Sequence, residues 1–303
     1  MANSERRFCE KMKRILFVIN PISGIGRQKI VENIAENVLD KTKSHFDFVY
    51  TKYPRHAKEI AKNNSSRYDI IIAVGGDGTI NEIASGLVGS QCILAIIPTG
   101  SGNGLARCLG IPMNIKKAIA LIENGKTKEI DTLFCNDMFF VNVGGVGFDA
   151  EVGHQFENAK NRGFFSYLKI TVLELLNFQS QKIEFDFDGQ IRQTEALLIS
   201  FANSNQWGNN VKIAPFAKVD DGLVDVCVLK KFPLIIAPII GVRLLLGTIT
   251  KSRYFESFST KQITITKQDI VVKFHLDGEP MIAQGNSLHI KVIPKSLSVI
   301  VPN

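Results

Sequence analysis

Residues 69–82, Asp69-Ile70-Ile71-Ile72-Ala73-Val74-Gly75-Gly76-Asp77-Gly78-Thr79-Ile80-Asn81-Glu82, constrain the fold more than any other stretch. An apolar β-branched run ends in three glycines and an aspartate, and residues 79–87 then read as helix. A strand, a glycine turn and a helix in that order set backbone N–H groups and a helix N-terminus against phosphate. Glycine lets the main chain approach a phosphate closely and tolerates positive φ. Asp77 lies in the turn, where a carboxylate can meet a phosphate-bound Mg²⁺ directly or through water. Asp77-Gly78 is also a good hairpin turn, but the segment after it has helical character and no strand pattern. A second glycine turn, Pro98-Thr99-Gly100-Ser101-Gly102-Asn103-Gly104, follows an apolar strand at 93–97 and precedes another helix.

The rest of the first half repeats this alternation. Strands are predicted at 14–20, 46–50, 69–74 and 93–97, and helices at 27–39, 54–63, 79–88, 101–108 and 115–123. Such alternation means a mainly parallel sheet covered on both faces, with the turns at Asn20, Gly75 and Gly100 gathered at its carboxyl edge. After about residue 131 short β segments dominate: 138–143, 181–187, 191–200, 223–230, 260–266 and 270–276, with Asp188-Gly189 as a hairpin turn. The fold class is thus α/β plus all-β: a doubly wound nucleotide-binding domain at 1–131 and an antiparallel sandwich at 132–287. Two apolar segments interrupt the β pattern. Residues 164–178 have helical spacing beside Lys160, Arg162 and Lys169. Residues 234–249 are strongly apolar but contain Pro238, Gly241 and Arg243, which argues against a membrane span. A buried core helix and an interfacial helix both fit the latter.

The net charge of +7 favours acidic partners, either nucleotide phosphates or an anionic membrane surface, and no basic run of nucleic-acid type occurs. Five scattered cysteines without a CxxC pair argue for free thiols in a reducing compartment and against a zinc site. The charged first 14 residues lack the apolar core of a secretory signal, so a cytoplasmic location is expected. The five histidines show no paired metal-ligand spacing.

GGDGTINE at 75–82 and PTGSGNGLAR at 98–107, with Asn20-Pro21-Ile22-Ser23-Gly24 upstream, resemble the catalytic domain of the diacylglycerol kinase and sphingosine kinase superfamily of lipid kinases. The likeness continues in Asp220-Asp221-Gly222-Leu223-Val224-Asp225 and in Leu276-Asp277-Gly278-Glu279-Pro280, in the family's order. It implies transfer of the ATP γ-phosphoryl group to a lipid hydroxyl with Mg²⁺, in a cleft between the two domains, with residues 288–303 packing back on the first. Gly75, Gly76, Asp77, Gly78, Thr79, Asn81 and Glu82 would cradle the phosphates. Gly100, Ser101 and Thr51 would also contact the nucleotide, and Asn20 and Gly24 would border the site.

By the same resemblance Glu279 matches the general base of bacterial members, with Asp277 in support, while Asp77 matches the base favoured for sphingosine kinases. Glu279 is the preferred reading, since a carboxylate there can take the hydroxyl proton as the P–O bond forms. Asp277-Gly278 taken alone is a hairpin turn. Asp149 and Asn103 are the substrate-side candidates. Asp221, with the main-chain oxygens of Lys218 and Leu223, would hold a second Mg²⁺, for which hard oxygens are suited. Gly104 stands where bacterial diacylglycerol kinases commonly carry Asp, which is nearer to the sphingosine and ceramide kinase branch. Diacylglycerol is nevertheless the favoured acceptor, a long-chain base the next. The expected partner is a lipid at an anionic membrane to which the protein attaches peripherally; a homodimer is left open. An NAD kinase-like soluble enzyme and a non-catalytic lipid- or nucleotide-binding module are the alternatives.

Overall fold

The computed structural model describes residues 12–157, 171, 173–175, 177, 180–267 and 271–303. Four parallel strands form its first half: β1 (Lys13–Ile19), β2 (Ser44–Tyr50), β3 (Ile70–Gly75) and β4 (Ile93–Pro98), in spatial order β2-β1-β3-β4. β3 is buried along its whole length, as a continuous Ile/Val run on the inside of a parallel sheet must be. The intervening helices are α1 (Val31–Val38), led by a 3₁₀ turn at Gly24–Ile30, then α2 (His56–Asn64), α3 (Asp77–Leu87), α4 (Gly104–Cys108) and α5 (Ile115–Asn124). α5 shows how the sequence sets them. Asn114 caps it by accepting the Lys117 N–H at 3.1 Å, and Ile115, Ala118, Ile119 and Ile122 recur on one buried face.

The second half comprises β5 (Lys126–Cys135), β6 (Met138–Phe140), β7 (Val143–Gly147), α6 (Phe148–Glu157), β8 (Gln181–Phe187), β9 (Gln190–Ala196), β10 (Leu198–Ala202), β11 (Val224–Leu229), α7 (Ala237–Leu246), β12 (Phe255–Thr260), β13 (Gln262–Lys267), β14 (Val271–Leu276), β15 (Glu279–Gln284) and β16 (Ser287–Val301). One sheet of six strands runs β12-β11-β10-β7-β14-β15 and is antiparallel throughout. The facing strands β13, β8 and β9 continue the first sheet through β16. Leu133, Phe140, Val146, Phe185, Phe201, Phe274 and Ile290 pack between the two layers.

β16 belongs to both halves. Its first part pairs antiparallel with β13, its last part meets β4 in parallel at Val299 and Leu94, and β5 accompanies both. The register against β5 slips between Ile293 and Leu297, where Pro294 and Lys295 (φ 47°) bend the strand.

Several expected elements are re-cut by tertiary contacts. The run 138–143 is two strands, because the N–H groups of Val141, Asn142 and Val143 turn to the Asp277 carboxylate. The run 191–200 is also two, since the chain passes from one sheet to the other at Leu197. The helix expected at 101–108 begins only at Gly104, and that expected at 79–88 begins already at Asp77. Most of the segment 164–178 lies outside the described residues. Within 234–249 a 3₁₀ turn leads into the helix Ala237–Leu246, which is not a core helix: Ile235 is 86% exposed and Leu246 68%. Among the described residues no helix is long and apolar enough to cross a membrane.

Candidate active site

The turns after β1, β2, β3 and β4 meet at one edge because the strands are parallel and adjacent. Asn20 follows β1: its amide donates to Thr79 Oγ1 at 3.0 Å and its Oδ1 accepts the Ile22 N–H. Gly24 opens the 3₁₀ turn after it. Ser23 Oγ ties that turn to Thr99 Oγ1 at 3.0 Å. Thr51 leaves β2 with its N–H on Ile19 O at 2.9 Å.

The two glycine turns lie back to back. A Cβ on Gly100 would sit 2.5 Å from Gly76 Cα, backbone against backbone, and one on Gly75 would strike the Thr79 side chain. These positions need glycine for close approach. Asp77 joins the turns: its Oδ1 accepts the Gly104 N–H and its Oδ2 the Asn103 N–H, each at 2.8 Å. Burial raises the Asp77 carboxyl to about pKa 6, aided by the nearby Asp277 and opposed by these two N–H groups.

Glu279 enters this N-terminal site from the sandwich. It stands exposed at the start of β15, and a Cβ on Gly78 would lie 3.2 Å from its Oε1. The β14–β15 hairpin carries it there through Asp277 (φ 51°) and Gly278 (φ 87°), a left-handed pair of type I′ form. Asp277 is buried and fixes the hairpin. Its Oδ2 accepts Asn81 Nδ2 at 2.7 Å and the Val141 N–H at 3.0 Å; its Oδ1 accepts the N–H groups of Asn142 at 2.8 Å and Val143 at 3.1 Å. Burial raises its carboxyl, while these donors hold it down. Asn81 on α3 is thus a strut between the domains.

Other expected site residues have different partners. Glu82 faces α2, accepting the N–H groups of Arg55 at 3.0 Å and Ala57 at 3.1 Å, because one residue past Asn81 the helix has turned about 100° away from Asp277. Thr79 is buried beneath the turn. Gly76 to Gly78 therefore form the open part of the turn. Ser101 is exposed at the second turn. Asn103 is buried in a left-handed conformation (φ 52°) and closes that turn by donating its amide to Gly100 O at 2.7 Å. Asp149 opens α6, with Oδ2 3.1 Å from His275 Nε2 and 3.2 Å from Ser200 Oγ, a buried polar trio inside the sandwich.

Asp221 accepts the Leu223 N–H at 3.1 Å, and its neighbour Asp220 is 3.0 Å from Lys128 Nζ. Lys218 is exposed and precedes Val219, whose carbonyl accepts the Asp131 N–H. Asp220 and Asp221 line a cavity of about 570 Å³ together with Asp131, Lys261 and Lys295. Among the described residues no group of three or more His, Cys, Asp or Glu side chains is placed to hold a metal. The described cysteines are free, and burial pushes the Cys92 and Cys135 thiols up to about 12, which leaves them unreactive.

Sequence reasoning missed Asn142 and Asn203, which knit the domain junction. Asn203 Nδ2 donates to Asp131 O and Val141 O, both at 2.9 Å, and its N–H bonds Asn142 O. The polar run Asn203-Ser204-Asn205 directly after an apolar strand was the available signal.

A helix N-terminus and two glycine turns on one side, with a carboxylate opposite, suit the transfer of a phosphoryl group to a hydroxyl. The family described as diacylglycerol kinase catalytic domain matches residues 14–135, and the family described as YegS C-terminal NAD kinase beta sandwich-like domain matches residues 142–301. A diacylglycerol kinase of Bacillus subtilis (strain 168) is 33% identical over 232 residues, 73% of this chain and 75% of the relative. The crystal structure of a diacylglycerol kinase from Bacillus anthracis str. Sterne superposes with a TM-score of 0.72 at 23% identity, covering 96% of this chain and 97% of that one. Yeast NADH kinase complexed with NADH has a TM-score of 0.51 at 12% identity, covering 96% and 84%. These two structures speak for the fold alone. The chain belongs to the diacylglycerol kinase superfamily of lipid kinases.

Proposed function

We propose that this lipid kinase transfers the γ-phosphoryl group of ATP to the free hydroxyl of diacylglycerol, with Glu279 as general base. The observation that carries the proposal is the Glu279 carboxylate held over Gly78, at the N-terminus of α3 where phosphate would bind. Glu279 would accept the hydroxyl proton as the lipid oxygen bonds to phosphorus and ADP departs. Asp277 positions it by locking the hairpin to β7 and α3. Asp77 is the second candidate base. Each of its oxygens accepts a main-chain N–H, so it acts first as a brace between the turns.

Mg²⁺ fits the donor chemistry here. Asp77 retains lone pairs beyond its two N–H bonds and would hold the ion through water, with phosphate oxygens supplying the rest. Bound there, the ion would neutralise charge on the phosphates. Asp221 with the carbonyls of Lys218 and Leu223 stays the proposed second Mg²⁺ site.

The name of the Bacillus subtilis relative supports diacylglycerol as acceptor. Gly104 does not speak for a long-chain base: a Cβ there would meet Asn142 Nδ2 at 2.5 Å and Trp207 O at 2.9 Å, so local packing accounts for glycine. With a lipid substrate and positive net charge, the enzyme would work peripherally on the cytoplasmic face of an anionic membrane. Glu279→Gln tests the base. Turnover should fall about 10²- to 10⁴-fold with ATP binding and Tm unchanged; near-normal turnover in a folded variant would remove Glu279 from the role.

A further inference from the structure

α7 and the 3₁₀ turn before it, Leu234–Ile236, carry two apolar stripes. Ile236, Ile240 and Leu244 recur every four residues and face inward; Ile240 is 4% exposed and packs with Ile213, Leu229, Phe232 and Phe255. Ile235, Ile239, Val242 and Leu246 form the outer stripe, at 86%, 54%, 53% and 68% exposure. A helix apolar on all sides is normally buried on all sides. Among the described residues only one side is covered, and a contiguous outer apolar face marks an interaction surface. Phe216, 39% exposed, adds to it, for it follows Pro215, which lies against Gly247 at the end of the helix.

The charge along this stretch of the chain has one sign. Between Asp225 and Glu256 the chain has no acidic residue and five basic ones: Lys230, Lys231, Arg243, Lys251 and Arg253. Lys231, Lys251 and Arg253 are exposed at the two ends of the segment, while Lys230 pairs with Glu256. An apolar stripe flanked by cations complements an anionic bilayer, whose interior takes the side chains and whose head groups meet the charges. It complements a second copy of itself poorly, because like charges would face one another across a twofold contact. Ten helical residues span about 15 Å, half the hydrocarbon core, so the helix would lie in the surface and not cross it.

The face is also connected to the catalytic cleft. The Lys212 N–H donates to Leu244 O at 2.9 Å, and three residues earlier the Asn209 N–H donates to Gly102 O at 3.2 Å. The chain 209–212 therefore joins the helix directly to the second glycine turn.

We propose that α7 is an interfacial helix that seats the enzyme on an anionic bilayer, its outer stripe embedded and the flanking cations on head groups. The inference rests on the lipid-kinase reading for its choice of partner, and it deepens that reading by naming the face. The test is flotation with vesicles of phosphatidylcholine alone or mixed with phosphatidylglycerol, using the full chain and the double variant Ile235→Asp, Leu246→Asp. A second variant, Lys231→Glu with Lys251→Glu, probes the charges, and phosphorylation of a monomeric short-chain diacylglycerol in solution checks that each variant is folded and active. The full chain should float with the mixed vesicles. The apolar variant should bind them on the order of a hundredfold more weakly. The charge variant should bind more weakly with a flatter salt dependence. Both should phosphorylate the short-chain lipid at the unaltered rate. Equal flotation of full chain and apolar variant, or no flotation of either, overturns the inference. So does a dimer of the full chain that the apolar substitutions dissociate without changing flotation. If no lipid is phosphorylated by any form while the flotation difference persists, the docking face stands and the proposed reaction falls.

Discussion

Asp77-Gly78 opens a helix, whereas the identical dipeptide Asp277-Gly278 closes a hairpin. The residues downstream of each pair decide between the two outcomes. After Gly78 the residues Ile80, Ile83, Ala84 and Leu87 recur at helical spacing and are buried against the sheet. After Gly278 the chain runs extended and pairs residue for residue with β14, from Leu276–Glu279 to Val271–Gln284. Yet both aspartates use their carboxylates in one way, gathering main-chain N–H groups from a segment distant in sequence. Asp77 gathers two and joins the glycine turns. Asp277 gathers three and an amide from α3, so it joins the domains. The hairpin that Asp277 anchors is what delivers Glu279 to Gly78.

Breaking the larger of these anchors should have the largest effect. Asp277→Ala leaves three main-chain donors without this acceptor in a buried junction, removes the short bond of the Asn81 amide, and should cost about 3 to 5 kcal/mol by chemical denaturation. Asp77→Ala strands two and should cost less; an equal loss would show that the two carboxylates do not differ in reach. The second contrast is in pH. The folded chain raises the Asp77 carboxyl from 3.8 to about 6. The folded state therefore holds this proton more tightly than the unfolded one. Its stabilising contribution is complete below the ordinary carboxylate range and is lost as pH rises through about 6. Relative to Asp77→Asn, the unaltered protein should lose up to about 3 kcal/mol between pH 4 and 7; a flat difference would deny the raised value.

The smallest expected change in stability separates the two glycines. Gly278 has a positive φ of 87° and open space around it, so Gly278→Ala should cost about 1 to 2 kcal/mol of strain. Gly78 is helical, so Gly78→Ala should leave Tm nearly unchanged. Its methyl would instead press on Glu279 Oε1, and turnover should fall. Stability losses in the reverse order would contradict the roles given to the two turns.

The glycine turns were legible because strand, turn and helix succeed one another locally, and the structure gathers Asn20, Thr51, Gly76 and Gly100 at one sheet edge. Glu82 was not legible: its partners are the first N–H groups of α2, a contact set by how α2 and α3 pack. Nor was the break at Val141 and Asn142, which exists because Asp277, more than 130 residues away, takes their N–H groups. The outer face of α7 was ambiguous for the same reason. Its composition gives an apolar helix, and only the packed structure tells which stripe the described residues leave uncovered.

Transfer of labelled γ-phosphate from ATP, with Mg²⁺, to lipids in mixed micelles is the most direct test of the central claim. Diacylglycerol, sphingosine and ceramide would be offered in parallel, with NAD as the soluble control. Labelled phosphatidic acid, formed by the unaltered protein and lost in Glu279→Gln, is the expected result. Labelled NADP, or no lipid product despite bound ATP, would contradict it.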